Sequence, residues 1–123
     1  PYVKTLIDGL NRKDIPVIYF VKGGGGMLEL VKEAGADVLG LDWHVNLGKA
    51  RDILGPDIAV QGNLDPTVLY APKDYIEKEV QRILDENADR PGFIFNLGHG
   101  ILPTVPPENA VHMVECVHRL SQK

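Results

Sequence analysis

A chain of 123 residues with 13 Lys or Arg against 17 Asp or Glu carries a formal charge of −4, so it offers no basic surface for tracking a phosphate backbone and no nucleic-acid partner is expected. Apolar residues make up 44% and charged residues 24%, the balance of a globular domain rather than of a disordered, collagen-like or coiled-coil chain. The single cysteine, Cys116, excludes an intrachain disulfide framework and a multi-cysteine zinc site, and no window of 18 apolar residues offers a membrane span.

The first predicted element is a helix carrying the stripe Val3, Leu6, Ile7 and Leu10. It is followed by a buried strand, Pro16-Val17-Ile18-Tyr19-Phe20-Val21, and a second helix with Met27, Leu28, Leu30, Val31 and Ala34 at helical spacing. Val38-Leu39-Gly40-Leu41 reads as the second strand, and Leu47, Ala50, Ile53 and Leu54 give the third helix its apolar face. Ile58-Ala59-Val60 and Phe93-Ile94-Phe95 are the third and fourth strands, with a helix through Ile76, Val80, Ile83 and Leu84 between them. A last helix, Pro107 to Leu120, is expected to bury Ala110, Met113, Val114, Val117 and Leu120, leaving His112 and His118 on the surface. Gly35 and Gly55-Pro56 close helices, and Pro66, Pro72 and Pro107 stand in first helical turns.

The order is one helix and then four βα units. Strand starts at 17, 38, 59 and 93 lie 21, 21 and 34 residues apart, enough for a helical crossover each time and so for parallel neighbours. An open doubly wound sheet would want a dinucleotide fingerprint, but neither Gly23-x-Gly25 nor Gly24-x-Gly26 finds its third glycine, and no G-x-x-x-x-G-K-[ST] loop occurs. A (βα)8 barrel averages about 31 residues per unit. Four units in 123 residues match that figure, so residues 1–123 are expected to form a single domain that is the carboxyl-terminal half of a TIM barrel. The opening Pro1-Tyr2, without an initiator Met, reads as a processed or excerpted start.

Both architectures put function at the carboxyl ends of the strands. There the sequence delivers Lys22 with Gly23, Gly24, Gly25 and Gly26, then Asp42-Trp43-His44, then Gln61-Gly62-Asn63 with Asp65, then Asn96 and Gly98-His99-Gly100. The glycines open backbone N–H groups to a carboxylate or phosphate beside Lys22, or form a turn that binds nothing. Asp42 caps the next helix, pairs with a basic group or does chemistry, whereas Asp65-Pro66 reads as an N-cap followed by proline. Trp43 stacks on a planar ligand or packs. His99, held between two glycines, can donate to a carboxylate or move a proton near neutrality. Neither G-x-S-x-G nor H-E-x-x-H occurs, the only serine is Ser121, and Cys116 sits in the last helix, so nucleophilic serine and zinc chemistry at this mouth are not expected.

Read together, Gly40-Leu41-Asp42-Trp43, Gln61-Gly62-Asn63-Leu64-Asp65-Pro66 with Leu69-Tyr70-Ala71, and Phe95-Asn96-Leu97-Gly98-His99-Gly100-Ile101 with Pro106-Pro107-Glu108 resemble uroporphyrinogen decarboxylase. The likeness extends to the ending Val117-His118-Arg119-Leu120-Ser121 and runs from Pro1 to Lys123. It implies a (βα)8 barrel, usually a cytoplasmic homodimer, that removes the four acetate carboxyls of uroporphyrinogen to give coproporphyrinogen on the route to haem, without cofactor or metal. It implies a catalytic or positioning role for His99 near the substrate's carboxylates. A substrate-binding set of Lys22, Gly23, Gly24, Asp42, Gln61, Asn63, Gly98 and Gly100 is expected beside it. The family's pyrrole-binding aspartate, its tyrosine and its arginine-bearing amino-terminal motif find no counterpart here, and Asp42 does not replace that aspartate. A missing amino-terminal half of the barrel is therefore an expected partner, and the chain alone is expected to be inactive. Two other readings stay open: a zinc-dependent corrinoid methyltransferase of similar barrel, whose His-x-Cys pair would stand where Val21-Lys22-Gly23 is found, and a non-catalytic half barrel that pairs with another.

Overall fold

The computed structural model describes residues 1–122. In chain order the elements are α1 (Tyr2–Asp8), β1 (Ile18–Phe20), α2 (Leu28–Lys32), β2 (Val38–Gly40), α3 (Leu47–Leu54), β3 (Ala59–Leu64), α4 (Lys73–Asn87), β4 (Phe93–Leu97) and α5 (Pro107–Leu120), with 3-10 turns at Gly24–Met27 and Pro66–Tyr70. The four strands form one parallel sheet in the order β1-β2-β3-β4, so each crossover returns the chain beside the strand it has just left. A helix followed by four parallel βα units is the expected (βα)8-type architecture, seen over half of its strands.

Register explains why the sheet is apolar on one side and unfinished on the other. Tyr19, Leu39, Val60 and Phe93 pair in one row. Their side chains join a core with Leu47, Ala50 and Leu54 of α3 and Ile76, Val80 and Ile83 of α4. The neighbouring row, Phe20, Gly40, Gln61 and Ile94, points to the opposite face, and there Phe20 and Ile94 are each 43% exposed. At the amino-terminal ends of the strands, the carboxylate of Asp37 accepts from the Val17 N–H at 2.7 Å and pairs with Arg12. The Val17 hydrogen bond first, and then the Arg12 guanidinium, hold the Asp37 carboxyl below the usual carboxylate range. Nearby, Arg51 of α3 is buried and donates to the carbonyls of Ile58 (3.2 Å), Pro91 (2.6 Å) and Gly92 (3.3 Å), joining the starts of β3 and β4.

The helices hold fewer apolar residues inward than the sequence stripes suggest. Leu6 and Leu10 near α1, Met27 and Leu30 around α2, and Ile53 of α3 are exposed, because only the positions on one side of each helix, such as Ile7, Leu28 and the Leu47–Ala50–Leu54 set, face the sheet. In α5 the one fully buried residue is Cys116; Val114 is exposed and Ala110, Met113, Val117 and Leu120 are half-buried. His112, expected on the surface, is half-buried beside that cysteine. Pro107 does start α5, but Pro72 stands one place earlier than expected, as the residue capping α4. β3 and β4 also run further than their β-branched runs, to Leu64 and Leu97, because Asn63 pairs with Asn96 and Leu64 with Leu97. Gln61, Gly62, Asn63 and Asn96 are thus strand residues rather than loop residues.

Candidate active site

Four parallel strands in sequential order deliver their carboxyl ends to one rim, and the polar segments that follow them meet there. The turn after β2 is the hub. The Asp42 carboxylate, 1% exposed, accepts hydrogen bonds from the Gly23 N–H and from the His44 N–H at 2.9 Å, and His44 Nδ1 lies 3.4 Å from the same carboxylate. Gly23 adopts φ +74, the left-handed region a side chain disfavours, which turns its N–H towards Asp42 and starts the 3-10 turn of the remaining glycines. Gly24 is buried against Val21 and Val31. The glycine run is therefore an ordered loop tied to the adjacent strand end by one buried carboxylate.

Asn63 secures the same turn from β3: it is buried, and its Nδ2 donates to the carbonyls of Asp42 (2.9 Å) and Val45 (2.6 Å). Gly62, at φ +145, lies so close to β2 that an added Cβ would stand 2.7 Å from the Leu41 carbonyl oxygen. Gln61 is half-buried in the row shared with Phe20 and Ile94, and its carbonyl accepts from the Leu41 N–H. Asp65 does what Asp65-Pro66 foretold, accepting from the Thr67 N–H at 2.8 Å to cap the 3-10 turn.

The turn after β4 closes over this hub. The Gly98 N–H donates to the Leu64 carbonyl at 2.7 Å, and a Cβ on Gly98 would stand 2.5 Å from Trp43 N, so only glycine lets the β4 turn lie against the β2 turn. Gly100, in contrast, has open space around it. His99, exposed between them, sets its ring edge-on to Trp43 (centroids 5.6 Å apart) and to Phe20 (6.4 Å). Trp43 lies 4.6 Å from the His44 ring, and Lys22 Nζ stands 5.8 Å from the Trp43 centroid. Lys22, His44 and His99 thus present an ammonium and two imidazoles around one indole, facing solvent on the rim above the apolar inner face. Such a set can orient carboxylates by hydrogen bonds and charge while the indole and Phe20 present apolar surface to a flat ring.

Of the residues expected at the rim, Lys22, His99 and Gly98 meet around Trp43, Gly23 and Asn63 meet around Asp42, and Gln61 lies lower on the sheet face. Sequence reasoning did not find the link from Asp42 to the Gly23 amide or the role of Asn63, whose backbone partners lie 18 to 21 positions away, although the Asp42 carboxylate also accepts from the His44 N–H two positions on. It also missed a group on the outer helical layer. Glu77 of α4 with His112 and Cys116 of α5 bring a carboxylate, an imidazole and a thiol within 4.8 Å of one another. The i,i+4 spacing of His112 and Cys116 is a readable signal for it.

The protein-family model described as uroporphyrinogen decarboxylase matches residues 1–120. The whole chain is 79% identical to the uroporphyrinogen decarboxylase of Geobacter metallireducens and 78% identical to that of Geobacter sulfurreducens, and spans 36% of the length of each. Among solved structures, a methyltransferase from Methanosarcina mazei superposes with a TM-score of 0.81 over 98% of this chain and 35% of its own, at 20% identity, a likeness of fold.

Proposed function

Since the chain belongs to the uroporphyrinogen decarboxylase family, we propose that it supplies one wall of the active site for the cofactor-free removal of the four acetate carboxyls of uroporphyrinogen. The identity of 79% along all 123 residues carries this reading. Decarboxylation of an acetate on a pyrrole needs an electron sink: protonation of a ring carbon makes the ring cationic, and CO2 departs to leave an exocyclic methylene. That methylene takes a proton to become methyl while the ring carbon gives its added proton back, restoring the pyrrole with one proton consumed overall. Around that chemistry, Lys22, His44 and His99 would hold substrate carboxylates, each charge-assisted bond contributing roughly 1.5–3 kcal/mol. Asp42, Asn63, Gly23 and Gly98 would act by positioning, with Gly24 in the ordered loop. Gln61 and Gly100 would border the ligand.

Stabilisation of the cationic ring falls outside this set, because Asp42, the buried carboxylate of the rim, already accepts from Gly23 and His44. The remaining units of the barrel, with a homodimeric assembly in the cytoplasm, complete the proposal. A metal-dependent methyltransferase reading draws on fold likeness alone, and the one thiol of the sequence, Cys116, lies on α5 rather than at the rim.

The test is a chimera in which this chain replaces the matching segment of the Geobacter metallireducens enzyme. The chimera is expected to convert uroporphyrinogen to coproporphyrinogen, followed by fluorescence chromatography of the oxidised porphyrins, and His99→Asn in it is expected to lower kcat/KM about tenfold or more with little change in Tm. A folded chimera without turnover would overturn the function, and a purely thermal effect of His99→Asn would remove His99 from the site.

A further inference from the structure

We propose that Glu77, His112 and Cys116 form a binding site for a divalent transition-metal ion, with Zn2+ as the fitting ion, on the outer helical layer and independent of the decarboxylase reading. The donor set is mixed carboxylate, imidazole and thiol, which suits a borderline-soft cation and not Mg2+ or Ca2+. Cys116 is 1% exposed, so its sulfur is held in place by packing, and His112 one turn earlier on α5 sets its Nε2 3.4 Å from that sulfur. Two ligands on one tetrahedral Zn2+, with Zn–S about 2.3 Å and Zn–N about 2.0 Å, stand about 3.5 Å apart, so these two atoms already have the separation coordination requires. Glu77 projects from α4 and is partly exposed, so its carboxylate can close the remaining distance by giving up its pairing with Arg119, and a fourth position is left for water.

What stands at the site now also indicates a cation. Arg119 Nη2 lies 3.0 Å from the Glu77 carboxylate and 3.8 Å from Cys116 Sγ, so a guanidinium occupies the space between two of the three donors. Its side chain is 57% exposed and can swing into solvent. Metal binding would exchange one cation for another, release the thiol proton to solvent, and trade the 3.2 Å contact between His112 Nε2 and the Lys73 carbonyl for a coordinate bond. Lys73 opens α4, so its carbonyl keeps the ordinary helical bond from the Glu77 N–H. The ion would then tie α4 to α5.

Co2+ titration of the metal-stripped full chain tests this, because a thiolate-to-cobalt charge-transfer band in the near ultraviolet reports directly on the sequence's one cysteine. One Co2+ per chain is expected, with that band and the visible bands of tetrahedral coordination, displaced by Zn2+. Cys116→Ser should abolish the band. Glu77→Gln and His112→Gln should each weaken binding about tenfold or more. Arg119→Gln should tighten it about fivefold, the scale of one unit-charge repulsion at ~4 Å in water. Absence of the band, its survival in Cys116→Ser, or weaker binding by Arg119→Gln would overturn the site. If Cys116→Ser fails to fold, Glu77→Gln at the surface decides, and an unchanged affinity there refutes the assignment.

Discussion

At the scale of single residues, the two glycines around His99 look equivalent in the sequence and are unlike in the fold. Gly98 carries the β4 turn against the Asp42–Trp43 backbone, where a Cβ would lie 2.5 Å from Trp43 N, while Gly100 faces open space and has no left-handed φ. Gly98→Ala is therefore expected to lower stability by about 2–3 kcal/mol, the cost of an unaccommodated methyl, and to lower turnover of the chimeric enzyme by displacing His99. Gly100→Ala should leave both within error. Urea unfolding of the pair beside their kcat/KM values checks this, and equal effects would contradict the contact. The Gly-His-Gly turn was legible as a motif, but which glycine carries the constraint was not. That constraint comes from Trp43, 55 positions away, and no local pattern encodes it. The same limit hid half of what Asp42 does: its bond to the His44 amide is local, but the Gly23 amide it also holds is brought near only by the β1–β2 pairing.

At the scale of elements, strand order, parallel pairing and the alternation with helices followed from β-branched runs and their spacing, because each run had to be buried on a sheet. Strand length was less legible: Asn63, Asn96 and Gly62 are poor strand residues by propensity, and β3–β4 pairing overrides that preference. Helix faces were read too broadly for a related reason, since every apolar residue near the stripe was counted and only those aimed at the sheet are covered. Arg51 carries no sequence signal of its place: it is a charge on a helix, which would ordinarily face water, and it is buried. Burial pushes its guanidinium pKa down, yet three backbone carbonyls at the start of β3 and β4 accept from it. Arg51→Met keeps the volume and removes the donors, so it should cost about 2 kcal/mol, read as a lower urea midpoint, while kcat/KM of the chimera changes little because these bonds lie at the end of the sheet opposite His99. A large catalytic loss without destabilisation would show that the two ends are coupled.

At the scale of the whole molecule, the sheet has an outer core and a bare inner face. Ile18, Phe20 and Ile94 are each more than 40% exposed on that face, and among the described residues β1 and β4 each pair on one side only. Exposed apolar surface beside unpaired strand edges favours association. The chain purified alone is expected to show a mass that rises with concentration in light scattering, and Phe20→Lys should shift it towards the monomer. A monodisperse monomer at every concentration would mean that the inner face needs no cover. Helix length adds a boundary to these expectations: no helix of the described residues is long and apolar enough to cross a membrane.

The fit of Gly98 against Trp43 has a mechanical meaning. Gly98 bears on Trp43, Trp43 is bonded to Asp42, and Asp42 holds the amide of Gly23, so three turns from three strands are tied by contact into one linkage spanning the rim. The rim is thus built as one connected piece rather than as a set of separate contacts.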